Sequence, residues 1–427
     1  MRLFSEQLKG WVSPTNAFIA LYANVENTFW LDREHAVGNR FSVIGTGERV
    51  KFDTVAGLSE YLEVCEDLEL PFEFRPGLVG WLDFELNSPQ MLRVESALVF
   101  DHENRHLYLI ARAENELRFK NWLDAALLRI GLIGGESLKY LAAAATPNIS
   151  SVVPRHNDSE YLELIATAQE NIRAGEVYQL CLTNEYLITG SADPLATFVQ
   201  LRDANPAPYA AYIRVGERKL VCSSPEQFLR VSSSGEVSTK PIKGTRPRST
   251  DLVEDLKIID ELAANLKERA ENLMIVDLMR NDLLKVCEQD SIRVEKLFDV
   301  ESYATVHQLV STVQGQLRAS TSAAEALAAC FPGGSMTGAP KLRAISLIGD
   351  LEQGARGIYS GVVGYLGDNG SADFGMVIRS LVFEGSKITL GVGGGITIDS
   401  DPEAELDETK LKAKALLRAL KANAGPA

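Results

Sequence analysis

Apolar and polar positions alternate over short runs between residues 1 and 113, and turn-forming residues separate the runs. "RFSVIGTGERVKF" reads as a strand, a Gly-Thr-Gly turn and a second strand, and "SALVFDHENRHLYLIARA" as a hairpin around a polar turn. The period then lengthens: "ENELRFKNWLDAALLRIGL" carries apolar residues at helical spacing. Small residues and prolines dominate 141–158 and predict a domain boundary, dividing the chain into a β-rich unit, 1–148, and a second unit, 149–427. The second unit opens with a helix, "DSEYLELIATAQENIRAGE", with Asp158 or Ser159 as its cap and Gly175 as its stop. A cluster of strands follows. A long helical region covers about Thr250–Leu284, mixed strands and glycine-rich turns span 361–398, and a last helix runs from Glu405 to about Ala422. Strand clusters separated by helices, without regular βαβ alternation, predict an α+β fold with mainly antiparallel sheets.

Composition narrows the function. A net charge of −15 over 427 residues is wrong for a general nucleic-acid binder or for an anionic membrane surface. No run approaches the roughly 20 apolar residues of a membrane helix. The amino terminus lacks the apolar core of a signal peptide. The five cysteines, Cys65, Cys181, Cys222, Cys287 and Cys330, are scattered and never paired as CxxC, which predicts reduced thiols and a cytoplasmic protein. The five histidines, His35, His102, His106, His156 and His307, form no HExxH cluster; His102 and His106 flank a polar turn, read as solvated, with a zinc site as the alternative.

Three constellations carry candidate chemistry. Glu268 and Glu271, then Glu405 and Glu408, stand three apart on two helices. Like charges at that spacing repel, so two such pairs suit a shared divalent cation such as Mg²⁺, although two solvated faces would look the same. The segments "FPGGSMTGAPK" and "LGVGGGITIDSD" expose backbone N–H groups that can cradle an anion, or they are simply tight turns. Neither fits a phosphate-binding loop. The third is "KPIKGTRPR", 240–248, in which Lys240, Arg246 and Arg248 surround Lys243. Nearby cations lower a lysine's pKa and create a neutral amine nucleophile; a charged edge strand is the alternative.

Taken in order, "SSPEQFL", "PIKGTRPR", "ERAENLMIVDLMRNDL", "LVST", "FPGGSMTGAPK", "GIYSGVVGY", "VIRS" and "GGGITIDSDPEAELDETKLKA" resemble the chorismate-utilising enzymes. The likeness covers roughly 157–420, and more faintly the N-terminal part. It implies a composite fold of two packed, mainly antiparallel sheets surrounded by helices. It also implies that Glu271 and Glu408 bind Mg²⁺ beside the ring carboxylate of chorismate, with Glu268 and Glu405 in support. Tyr359 and Arg379 match positions that hold the enolpyruvyl carboxylate, Gly393, Gly394 and Gly395 a backbone cradle, Lys412 a cation near the metal-bound carboxylate, and Ser335 and Thr245 hydroxyls close to substrate.

Gln179 stands where water-adding members carry a lysine base, which disfavours isochorismate formation. Where the anthranilate-forming branch carries alanine, this chain has Lys243, which fits the branch that aminates chorismate at C4. Glu226 is the candidate acid for the departing hydroxyl. The resemblance therefore implies amination of chorismate to 4-amino-4-deoxychorismate on the route to 4-aminobenzoate and folate, with anthranilate formation as the alternative. No glutaminase signature is evident, so ammonia must come from an amidotransferase subunit or free in solution. The family places histidine immediately before Leu-Val-Ser. Here Gln308 occupies that position and His307 precedes it, leaving His307 as a substrate contact only if the strand presents it.

Overall fold

The computed structural model describes residues 1–8, 10–34, 40–63, 68–132, 136–144, 146–303 and 305–422; His35 and Cys65 fall outside them. The first part contains β1 (Arg2–Leu8), α1 (Pro14–Tyr22), β2 (Asn27–Asp32), β3 (Phe41–Val50), β4 (Gly77–Leu82), β5 (Gln90–Asp101), β6 (His106–Ala113), α2 (Glu116–Leu132), α3 (Glu136–Ala143) and β7 (Asn148–Pro154). The chain continues with α4 (Asp158–Arg173), β8 (Gln179–Ser191), α5 (Pro194–Ala204), β9 (Tyr209–Val215), β10 (Arg218–Ser224), β11 (Gln227–Val231), β12 (Glu236–Lys240) and β13 (Ile242–Pro247). Then come α6 (Leu252–Ala264), α7 (Leu266–Leu284), β14 (Arg293–Ser302), β15 (Val306–Gln316), α8 (Ala323–Cys330), β16 (Gly338–Ala339), α9 (Lys341–Glu352), β17 (Val362–Gly367), β18 (Ala372–Met376), β19 (Ser380–Glu384), β20 (Lys387–Ile396) and α10 (Pro402–Ala419).

All pairings among these strands are antiparallel, as the pattern predicts. One ladder runs β7–β8–β20–β19–β10–β9–β2–β3–β5–β6–β1. The other leaves β5 through β4–β17–β18–β11–β12–β15, with β13 and β14 on β15. Alternation along β2 and β4 shows how the ladders stack. Phe29 and Leu31 meet Val79 and Trp81 in one core between the sheets. Trp30 points the other way, its ring 5.5 Å from Phe18 of α1 and 5.1 Å from Phe198 of α5. Leu78 and Leu82 point outward from the second sheet against Ile275, Val276 and Met279 of α7 and Leu327 of α8. The order is thus helices, sheet, sheet, helices. Trp30 and Trp81 are fully buried, and truncating either to alanine should cost roughly 3–5 kcal/mol.

Strands from 1–148 and 149–427 pair with one another. β2 lies on β9, and β4 on β17. Arg93 and Arg112 both grip the buried Asp368 at 2.7 Å. The two expected units therefore share both sheets.

Local details depart from the sequence expectations for steric reasons. "IGTGE" makes a bulge inside β3 instead of a turn, because Gly45 and Gly47 let β3 press against the Phe29 ring and the Arg93 carbonyl, where a Cβ would stand 2.7 and 2.5 Å away. Asn157, not Asp158 or Ser159, caps α4, forming a reciprocal capping box with Glu160. The helical region after Thr250 breaks at Asn265, whose extended backbone ends α6 and whose side chain caps α7. The run "GVGGGI" is strand β20 and not a loop.

Candidate active site

Three strands and the ends of two helices converge on Lys243. It lies in β13, where the register with β15 shifts between Lys243 and Thr245. Gly244 makes that bulge possible. Its φ is +80°, and a Cβ would sit 2.9 Å from Leu262 and 3.0 Å from Glu268. The Lys243 ammonium lies 3.5 Å from Glu271 Oε2 of α7. Gly395 of β20 forms the opposite wall: a Cβ there would be 2.7 Å from Lys243 Nζ and 2.4 Å from Gln179 Nε2. Gln179, at the start of β8, is fully buried, and neither end of its amide has a partner. Its donor and its acceptor are both left available to a substrate group or a water.

The first two turns of α7 and α10 carry the glutamate pairs. Glu268 meets Arg246 at 3.3 Å. Glu405 accepts from Ser400 Oγ at 2.8 Å, and Glu408 meets Lys412 at 2.7 Å. Lys412 also donates to the Gly393 carbonyl at 2.8 Å. A Cβ on Gly394 would lie 3.0 Å from Glu405 Oε2, so the glycine run is held between the carboxylates and the Lys243 wall. One ammonium not foreseen from the sequence, Lys267, reaches Glu405 at 3.6 Å and Glu271 at 3.9 Å. A single cation is therefore already held between carboxylates of both helices. Carboxylates from the two helices bridged by that stand-in suit a hard divalent cation that keeps several waters, with Glu271, Glu408, Glu268 and Glu405 as the candidate ligands, although no three of the four set their oxygens close together among the described residues.

Glu226 follows β10 and is buried. Burial pushes its pKa up to about 7, against the pull of Ser335, Lys243 and Lys412. Burial alone would discharge Lys243, but Glu271, Cys181, Glu226 and Glu408 outweigh it and raise the lysine's pKa. The expected cationic field is absent because its sources are spent elsewhere. Lys240 pairs with Glu301 at 2.8 Å, Arg246 with Glu261 at 3.1 Å, and Arg248 with Asp255 at 2.7 Å. Lys243 rests as an ammonium among carboxylates.

Tyr359 packs its ring on Gly391, where a Cβ would be 2.1 Å away, and its hydroxyl has no hydrogen bond among the described residues. Arg379 has a strained φ of +50°. Burial lowers its pKa, while Tyr359 and Glu408 oppose that shift. Its guanidinium makes no hydrogen bond or ion pair among the described residues, which suits a receptor for an incoming carboxylate.

Thr245 is exposed and accepts a long contact, 3.4 Å, from buried Gln308, whose Oε1 has no partner. His307 is not brought to this site. Its Nε2 lies 2.9 Å from Asp255 and its Nδ1 2.8 Å from Ser302, so it clamps α6 to the end of β14. Adjacent strand residues point oppositely, which leaves Gln308 beside Thr245.

A second acidic group, Asp32, Glu34 and His102, is the one cluster of three or more metal-type ligands with close-set donor atoms among the described residues. Asp32 accepts from Trp30, Ser42 and Arg202 at 2.9–3.1 Å, and Arg202 also engages Glu34. Those carboxylates already have a cation.

Residues 32–418 match the model of the chorismate binding enzyme family, and the chain belongs to that family. It is 40% identical to an aminodeoxychorismate synthase of Streptomyces griseus, over 95% of this chain and 62% of that protein, so it spans about three fifths of that relative's length. It is 38% identical to aminodeoxychorismate synthase component 1 of Klebsiella aerogenes, over 83% of this chain and 75% of that one. Anthranilate synthase component I of Streptococcus pneumoniae shares the fold with a TM-score of 0.79 at 26% identity, covering 95% and 97% of the two chains.

Proposed function

We propose that the chain aminates chorismate at C4 with ammonia, giving 4-amino-4-deoxychorismate, as aminodeoxychorismate synthase component I does. The observation that carries this reading is the Lys243 ammonium, 3.5 Å from Glu271 and facing Gly395 and Gln179. After losing a proton to solvent, the Lys243 amine attacks ring C2, both double bonds of the ring diene shift (C1=C2 to C1=C6, C5=C6 to C4=C5), and the C4 hydroxyl leaves as water with a proton from Glu226. Ammonia then adds at C4, both double bonds return to their original places, and the C2–nitrogen bond to Lys243 breaks. Overall, one ammonia enters and one water leaves. Glu226 suits the acid role because its pKa of about 7 leaves it part-protonated near neutrality.

Arg379 and Tyr359 orient the enolpyruvyl carboxylate, and Lys412, Ser335 and the Gly393–Gly395 backbone line the ring's side of the site. Mg²⁺ held by Glu271 and Glu408, with Glu268 and Glu405 in support, would neutralise and orient the ring carboxylate. Gln179 cannot remove a proton from water, which supports amination over hydration. A glutaminase subunit supplies the ammonia. No helix among the described residues is long and apolar enough to cross a membrane. Cys181, Cys222, Cys287 and Cys330 are unpaired, which supports a reducing cytoplasmic setting.

The test is product identification from chorismate, Mg²⁺ and ammonium by mass spectrometry. 4-Amino-4-deoxychorismate that disappears with Lys243→Ala is expected. Fluorescent anthranilate formed directly would transfer the chain to the ortho branch.

A further inference from the structure

We infer that Lys267 is a built-in competitor for the divalent cation, occupying the space between α7 and α10 and leaving when the ion enters. The inference rests on the cation reading above. One ammonium lies 3.6 Å from Glu405 and 3.9 Å from Glu271, so it bridges the two helices where a shared ion must sit. Octahedral ligands stand about 2.1 Å from Mg²⁺, and an ammonium cannot share that volume with a dication.

Lys267 differs from the other two lysines of the site. Lys412 is anchored at 2.7 Å to Glu408 and 2.8 Å to the Gly393 carbonyl. Lys243 is enclosed, with its side chain 14% exposed. Lys267 is 52% exposed, while its partners Glu271 and Glu405 are 12% and 8% exposed. It is therefore a long arm reaching inward from solvent, held loosely and only by carboxylates, with an open way out.

Its position in the helix supports the same conclusion. Lys267 is the second residue of α7, at the positive end of the helix dipole, where a cation is disfavoured. The helix gives no reason for a lysine there, whereas the carboxylates do. The arm neutralises the glutamates when no dication is bound and lowers the affinity of the site, so that occupancy follows the free ion concentration.

The experiment titrates Mn²⁺ into the full chain without substrate and follows free Mn²⁺ by electron paramagnetic resonance. Lys267→Gln should tighten the Mn²⁺ dissociation constant about threefold to tenfold, the worth of two half-exposed ion pairs. Lys267→Arg, which keeps the competing charge, should stay within about twofold of the parent. Unchanged or weaker binding by Lys267→Gln overturns the inference. Glu271→Gln separates the failures. If it abolishes binding while Lys267→Gln changes nothing, only the competitor role falls. If the parent binds no Mn²⁺, or Glu271→Gln titrates like the parent, the cation reading falls and takes the competitor with it.

Discussion

Gly395→Ala tests the site with a single methyl group. Gly395 has no positive φ, so alanine suits its backbone. The added Cβ would stand 2.4 Å from Gln179 Nε2, 3.2 Å from Gln179 Cδ and 2.7 Å from Lys243 Nζ. Ordinary contact begins near 3.4 Å, so the carboxamide must retreat by about 1 Å and the amine by slightly less. Gln179 is fully enclosed and has little room to yield. Overpacking of this kind costs about 1–3 kcal/mol of stability. A displacement of about 1 Å in a reacting group costs on the order of 100-fold in rate. Initial rates with chorismate and ammonium should therefore fall about 100-fold in kcat, with a modest drop in Tm by calorimetry. Gly394→Ala is the comparison. Its Cβ would meet Glu405 Oε2 at 3.0 Å, a side-chain end that needs to move by a few tenths of an ångström, and the loss should stay under about tenfold. An unchanged kcat in Gly395→Ala would refute the placement of the Lys243 amine against β20.

Arg379→Met removes an unpaired guanidinium, so KM for chorismate should rise about 10- to 150-fold while Tm stays level; an unchanged KM would remove Arg379 from the substrate contacts. Glu226 has a folded-state pKa raised to about 7, so its contribution to stability is present in full below its unfolded value near 4.5 and is lost as pH rises through 7. As an acid it should also give a rate that falls above about pH 7; Glu226→Gln should flatten both dependences, and an identical rate profile would exclude the role. Glu352 is buried and pairs with Arg356 at 2.6 Å, so Glu352→Ala strands a buried guanidinium and should cost about 3–5 kcal/mol in urea unfolding. His307→Ala should lower stability by about 1–3 kcal/mol while leaving KM within about twofold, because the ring holds α6 and not the substrate; a large KM change would put it back at the site.

β5 and β6 were legible because each carries an apolar-rich run bounded by polar or turn-forming residues. The turn at 102–105 was legible for the same reason, since its polar residues separate two alternating runs. The shared sheets were not. Nothing local in "NTFWLD" says that its partner is "YAAYIRV", far along the chain. Among site residues, Lys243, Glu271 and Glu408 stand out by charge and spacing and Gln179 by motif resemblance; Lys243 lies 3.5 Å from Glu271 and shares the Gly395 wall with Gln179. The lysine's charge state was misjudged because sequence proximity ranked Lys240, Arg246 and Arg248 as neighbours, whereas ion pairs with Glu301, Glu261 and Asp255 spend their charge. For Lys267 the visible signal in the sequence is its spacing of four from Glu271 on a helix.

The glycine strand β20 zips against β8, joining Gly395 to Cys181 and Ile396 to Leu180 across more than half the chain. During synthesis the lysine's own strand leaves the ribosome long before that wall exists. At roughly 5–20 residues per second, the nascent protein spends ten seconds or more with its central sheet open. A premature stop before Lys387 would yield a polypeptide carrying Lys243 and Glu271 but lacking the Gly395 wall that faces the amine.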